Sequence, residues 1–199
     1  MDGGHNGHET HDDDGRDIPH LAAPVLTARQ ALAAHFLHGC PHIIEIGGYK
    51  TPITPFLTHT PETVTSVDPK IEPLSIDELH GEPCRVRHLA CKFQEVDFDV
   101  EPYDYGLVIL GYSLKPFGDE APDGDRLAGL IDQAGLTVID YMIDLERPEA
   151  QLPGLLNRGT LHQRHRIDMQ MHDEVIGGTP FANRRFLVLE PAGLAERRD

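Results

Sequence analysis

Short β-type apolar runs alternate with amphipathic helical stretches, and the last two β-type runs have no helix between them. That order limits the fold more than any other feature of the chain. Ala28, Leu32, Ala33, Phe36 and Leu37 recur at helical spacing, with Thr27 as the expected N-cap, Pro24 upstream and Gly39 as a stop. His42 to Ile46 reads as a buried strand entering the turn Gly47-Gly48. Val64 to Val67, closed by Asp68, is a second strand, and Arg85 to Ala90 a weaker third. Tyr105 to Leu110 is the fourth and most apolar. A helix face (Leu127, Leu130, Ile131, Ala134) stops at Gly135 and leads to a fifth strand, Leu136 to Ile143. A helical stretch over 149–158 precedes two closing strands, 161–172 and Arg184 to Leu189. Alternation of this kind makes parallel βαβ units. The connection from Asp173 to Asn183 holds Gly177, Gly178 and Pro180, so the final pair is expected to be an antiparallel hairpin. The prediction is an α/β domain over residues 21–199. Its sheet is mostly parallel, of about seven strands, with helices on both faces and an antiparallel C-terminal hairpin.

Charge narrows the partners. The chain of 199 residues has 33 acidic and 17 basic side chains and a net charge of −16. Such a balance disfavours nucleic acid, whose binders present a basic face. No run is apolar enough to span a membrane, and the first residues lack the basic and apolar regions of a signal peptide. Cys40, Cys84 and Cys91 form an odd set without CxxC spacing, so no disulfide framework is expected and a reducing cytoplasm is the simplest location. Residues 1–20 read as a disordered His/Asp-rich tail. His5, His8 and His11 recur every third residue among acids. They fit either a solvated tail or a site for a metal that favours imidazole.

The chemistry gathers at the carboxyl ends of the first two strands. Gly47 and Gly48 let the backbone turn sharply and approach a ligand. Open α/β sheets bind ligands at that end, near the switch in strand order. Asp68, about twenty residues on, is placed to accept hydrogen bonds from ribose hydroxyls. Together these residues point to a nucleoside pocket.

From about residue 25 to 190 the chain resembles the class I S-adenosylmethionine-dependent methyltransferases, whose fold is Rossmann-like. Their first motif, an acid followed by x-Gly-x-Gly-x-Gly, falls on Glu45, Gly47 and Gly48-Tyr49-Lys50-Thr51. Tyr49 and Thr51 replace its second and third glycines, and Pro52 and Pro55 imply a short or displaced next helix. The ribose-binding acid falls on Asp68, the adenine-side pair on Asp97-Phe98, and the aromatic-Asp before the fourth strand on Tyr103-Asp104. The resemblance implies S-adenosyl-L-methionine as cofactor, bound by Glu45, Gly47, Gly48, Asp68, Asp97, Phe98 and Gly111. It also implies that Gly111 to Pro116 lines the methyl-transfer site. The closing hairpin suits the same fold. A dinucleotide-binding dehydrogenase fits less well, because the GxGxxG spacing is absent.

Methyl transfer asks chiefly for proximity, alignment and, for an O or N acceptor, a base. Tyr112 and Ser113 are the first candidates for catalysis, with Asp140 and Tyr141 after them. His162, His165 and His172 lie in the sixth-strand run but not on one face. Arg158, Arg164 and Arg166 make the main basic concentration of the domain. Alternation would put Arg164 and Arg166 on one face, as a stripe for a substrate carboxylate or phosphate; the other reading is charge that serves solubility. The expected function is a methyltransferase acting on a small molecule, an anionic one if the arginine stripe receives it. Two other readings stay open: a non-catalytic relative that binds a nucleoside or protein partner, and a metal-binding role for the tail. Aminopropyl transfer on this fold would want an acidic wall for a polyamine, the opposite sign.

Overall fold

A computed structural model describes residues 24–110, 124–142, 159–170 and 183–195. Helix α1 (Pro24–Phe36) leads to β1 (His42–Ile46), and a 3₁₀ turn (Thr54–Phe56) leads to β2 (Thr63–Val67). Strands β3 (Leu74–Leu79) and β4 (Glu82–Leu89) follow, then a 3₁₀ turn (Phe93–Glu95) and β5 (Tyr105–Leu110). Helix α2 (Gly124–Gln133) precedes β6 (Leu136–Met142), β7 (Leu161–Gln170), β8 (Asn183–Pro191) and the short α3 (Ala192–Ala195).

The strands form one sheet in the order β3-β4-β2-β1-β5-β6-β8-β7. From β4 to β6 the pairing is parallel. Strand β8 runs antiparallel to both β6 and β7, in line with the expected closing hairpin. Two features differ from the expectation. The sheet has eight strands, because β3 pairs antiparallel with β4 at one edge. Its sequence, LSIDEL, shows five of six residues to solvent, so no buried apolar run announces it. Helices are also fewer among the described residues than the alternation implied. Among the described residues, a single 3₁₀ turn containing Pro55 stands after β1, where Pro52 and Pro55 prevent a regular first turn. The helix start moves too: α1 begins at Pro24, which places Thr27 inside it rather than at its cap. The helical expectation for 149–158 and the connection 171–182 lie outside the described residues.

The sheet has a core on each side. On the α1 side, Ala33, Ala34 and Leu37 pack with Ile43, Val108, Val138 and Val188. On the α2 side, Leu127, Ala128 and Ile131 pack with Ile44, Leu107, Ile139 and Leu187. Alternate residues of each strand serve opposite cores, and all six residues of β5 are buried. Among the described residues, no helix is long and apolar enough to cross a membrane.

Candidate functional site

The chain leaves β1 over a buried carboxyl group. Glu45 points to the α1 side and is fully buried. Its Oε2 accepts a hydrogen bond from the Ile53 amide at 2.9 Å, while Oε1 meets no donor among the described residues. Burial pushes its pKa up to about 7; Ser66, the Ile53 amide and the Arg29 charge oppose the rise, and the Asp68 charge adds to it. Gly48 lies against this carboxyl group so closely that a Cβ there would come within 2.7 Å of Oε1. Only a residue without a side chain fits above Glu45.

The turn itself is left-handed at two residues. Gly47 has φ +82° and donates its N–H to the Val67 carbonyl at 3.0 Å. Tyr49, at the position of the second motif glycine, has φ +55° and so keeps a backbone shape that glycine adopts freely. Its N–H donates to Asp68 Oδ2 at 3.0 Å, and the Lys70 N–H donates to Oδ1 at 2.8 Å. Asp68 thereby ties the turn after β1 to the end of β2. Burial raises its pKa, and the two amides and the Lys70 charge oppose the rise. Each carboxylate oxygen keeps a lone pair for a further donor. The Gln30 amide of α1 donates to the Thr51 carbonyl at 3.1 Å, holding the far side of the turn.

Glu45, Gly47, Gly48 and Asp68 are thus brought together. Asp97 and Phe98 follow the 3₁₀ turn Phe93–Glu95. Arg126, in the first turn of α2, donates to the Gln94 carbonyl at 2.8 Å and to the Val96 carbonyl. The same guanidinium stands 3.4 Å from the exposed Asp97 carboxylate. Phe98 is half-buried against the α2-side core. Gly111, Tyr112 and Ser113 lie outside the described residues. Strand β5 ends at Leu110 and pairs Ile109 with Ile46, so its carboxyl end lies beside that of β1.

Asp140 and Tyr141, near the end of β6, point to opposite sides. Asp140 is fully buried and accepts from two arginines: Arg29 Nη1 at 2.9 Å and Arg184 Nε at 2.8 and 2.9 Å. Both of its oxygens are engaged, which removes it as a candidate base. The Tyr141 hydroxyl is buried beside Arg185, and burial raises its pKa despite that charge. Sequence reasoning missed Arg29 and Arg184, both buried. The available signal was a lone arginine in the α1 pattern and an arginine pair, Arg184-Arg185, opening the last apolar run.

The arginine stripe does not form. A bulge between Gln163 and His165 breaks the alternation in β7. Arg164 lies 3.5 Å from Glu190, which pairs in register with His162 on the α1 side. Arg166 bonds Asp168 at 2.8 Å, and Asp168 is shared with Arg185 at 2.7 Å on the α2 side. These two guanidiniums hold the Asp168 carboxyl well below the usual carboxylate range. Arg164 also lines a cavity of about 360 Å³ with Phe36, Cys40, Tyr103 and Leu136, at the amino ends of the strands and away from the Gly47 turn. His162 and His165 are exposed, and the His165 ring lies 5.1 Å from that of Phe36. His172, Arg158 and the tail histidines His5, His8 and His11 lie outside the described residues.

No protein-family model matches the sequence, and no curated protein sequence matches it. Solved structures do match. The fold resembles the 1,6-didemethyltoxoflavin-N1-methyltransferase of Burkholderia thailandensis, solved with S-adenosylhomocysteine. The TM-score is 0.53 at 19% identity, over 84% of this chain and 81% of that one. N-methyltransferase NodS of Bradyrhizobium japonicum, also with S-adenosylhomocysteine, gives 0.59 at 14%, over 85% and 89%. A rRNA methylase of Streptococcus thermophilus gives 0.50 at 12%, over 83% and 96%. The chain therefore has the class I fold of S-adenosylmethionine-dependent methyltransferases.

Proposed function

We propose that the chain is an S-adenosylmethionine-dependent methyltransferase acting on a small molecule. The observation that carries this is the Asp68 clamp. A carboxylate at the end of β2 holds the turn after β1, and Tyr49 keeps there the left-handed backbone of a motif glycine. The residues fit the cofactor: Asp68 has lone pairs for ribose hydroxyls, Gly47 leaves partly exposed backbone at the carboxyl end of β1, and Gly48 lets the chain pass close over Glu45. When bound, S-adenosyl-L-methionine would supply an electrophilic methyl group on a sulfonium.

The chain's own residues have separable tasks in this reading. Asp68 orients the ribose, and Asp97 with Phe98 borders the adenine. Glu45 supports the turn from below. Gly111, Tyr112 and Ser113 leave the end of β5, where the acceptor must be aligned with the methyl group. Tyr112 and Ser113 are the groups there able to orient or deprotonate an acceptor. The solved relatives act on both small molecules and RNA, and the −16 charge of this chain favours the former.

Titration with S-adenosylhomocysteine tests the reading. Wild type is expected to bind, and Asp68→Ala to bind roughly ten-fold or more weakly, from a charged hydrogen bond of about 1.5–3 kcal/mol. Absence of heat with the wild type at millimolar ligand would overturn it in favour of a non-catalytic relative.

A further inference from the structure

Among the described residues, the buried Arg184 on the α1 side leaves its hydrogen bonding unfinished. Arg184, at the start of β8, is fully buried. Its Nε donates to both oxygens of Asp140, and Arg29 donates to the same carboxylate. One acid therefore serves two guanidiniums. A guanidinium has five N–H donors. Arg184 uses the one on Nε, while Nη1 and Nη2 meet no acceptor among the described residues. Leaving buried donors unpaired costs about 1–3 kcal/mol, more where they carry charge. An apolar residue would fill the same space without that cost. Two adjacent, unpaired Nη groups form a planar fork that matches a carboxylate.

We propose that Arg184, oriented by Asp140, binds a carboxylate of the methyl acceptor. The ligand's name rests on the methyltransferase reading; the site itself rests on the fork. Its place in the sheet separates it from the nucleoside end. Between Asp68 on β2 and Arg184 on β8 lie four inter-strand steps, roughly 19 Å at ~4.8 Å each. The switch in strand order falls between them, so Arg184 belongs to the acceptor's side. The more exposed Arg164 and Arg166 are already matched with Glu190 and Asp168.

Acetate, the smallest carboxylate probe, tests this on the full chain. The thermal midpoint of wild type is expected to rise in sodium acetate relative to sodium chloride of equal ionic strength. In Arg184→Met, acetate affinity should fall roughly ten-fold or more, with S-adenosylhomocysteine affinity unchanged. Arg184→Lys keeps the charge but not the fork, and should fail similarly. If the variants do not fold, arginine side-chain NMR of wild type replaces them: one guanidinium should shift with acetate and not with chloride. No such shift, or equal responses to the two salts, overturns the site. A loss of S-adenosylhomocysteine affinity in Arg184→Met, with 5′-methylthioadenosine affinity kept, would assign the fork to the cofactor's carboxylate and overturn the acceptor assignment. Acetate binding without S-adenosylhomocysteine binding would keep the anion site and remove the methyltransferase reading; the reverse would remove only the site.

Discussion

Glu45 carries an ionisation that the fold opposes. Burial lifts its pKa from 4.5 to about 7, so the native state prefers the protonated acid. The sign follows directly. Ionisation costs nothing below pH 4.5, costs progressively more up to about pH 7, and adds nothing further above that. Wild type should therefore lose about 3 kcal/mol of stability relative to Glu45→Gln across that window, at 1.36 kcal/mol per pKa unit. Denaturant titrations at pH 4.5 and 7.5 check it, and parallel pH profiles for the two proteins would contradict it. Asp140 accepts hydrogen bonds from two buried guanidiniums. Asp140→Ala removes the carboxylate that both guanidiniums bond and is expected to cost about 3–5 kcal/mol, visible as a large fall in the unfolding midpoint. A loss below about 1 kcal/mol would mean that the pair finds other acceptors.

Among elements, the β3–β4 hairpin shows why a strand can be hidden in sequence. Leu79 pairs with Glu82 across a two-residue turn, and both turn residues are left-handed: His80 at φ +56° and Gly81 at φ +83°. That is the geometry of a type I′ turn, whose preferred residues are Asn-Gly. His80→Asn is expected to raise the unfolding midpoint, and Gly81→Ala to lower it, each by up to about 1 kcal/mol. Equal midpoints for the three proteins would place the turn in another conformation. Strands His42–Ile46 and Tyr105–Leu110 were legible because burial on both faces leaves an unbroken apolar run. LSIDEL was not, because it faces solvent. The bulge in β7 could not be read either. Strict alternation puts Arg164 and Arg166 together, and only pairing with β8 reveals the extra residue.

Over the whole molecule, the grouping of Glu45, Gly47, Gly48 and Asp68 was legible and the buried arginine cluster was not. Glu45, Gly47 and Asp68 lie within 24 positions and announce themselves by residue type after short strands. Arg29 and Asp140 are 111 positions apart, and Asp140 and Arg184 are 44 apart, so only the completed sheet joins them. The charge balance pointed away from nucleic acid but said nothing of where an anion would be received. What joins these parts is the claim that cofactor binds at the carboxyl end of β1 and β2. Backbone amide NMR of the full chain, titrated with S-adenosyl-L-methionine, tests that claim most directly. The Gly47, Gly48 and Tyr49 amides should shift saturably, while Gly81, in a turn at the amino end of β4, stays in place. Unchanged spectra at millimolar cofactor, or shifts that avoid the Gly47 turn, would contradict the account.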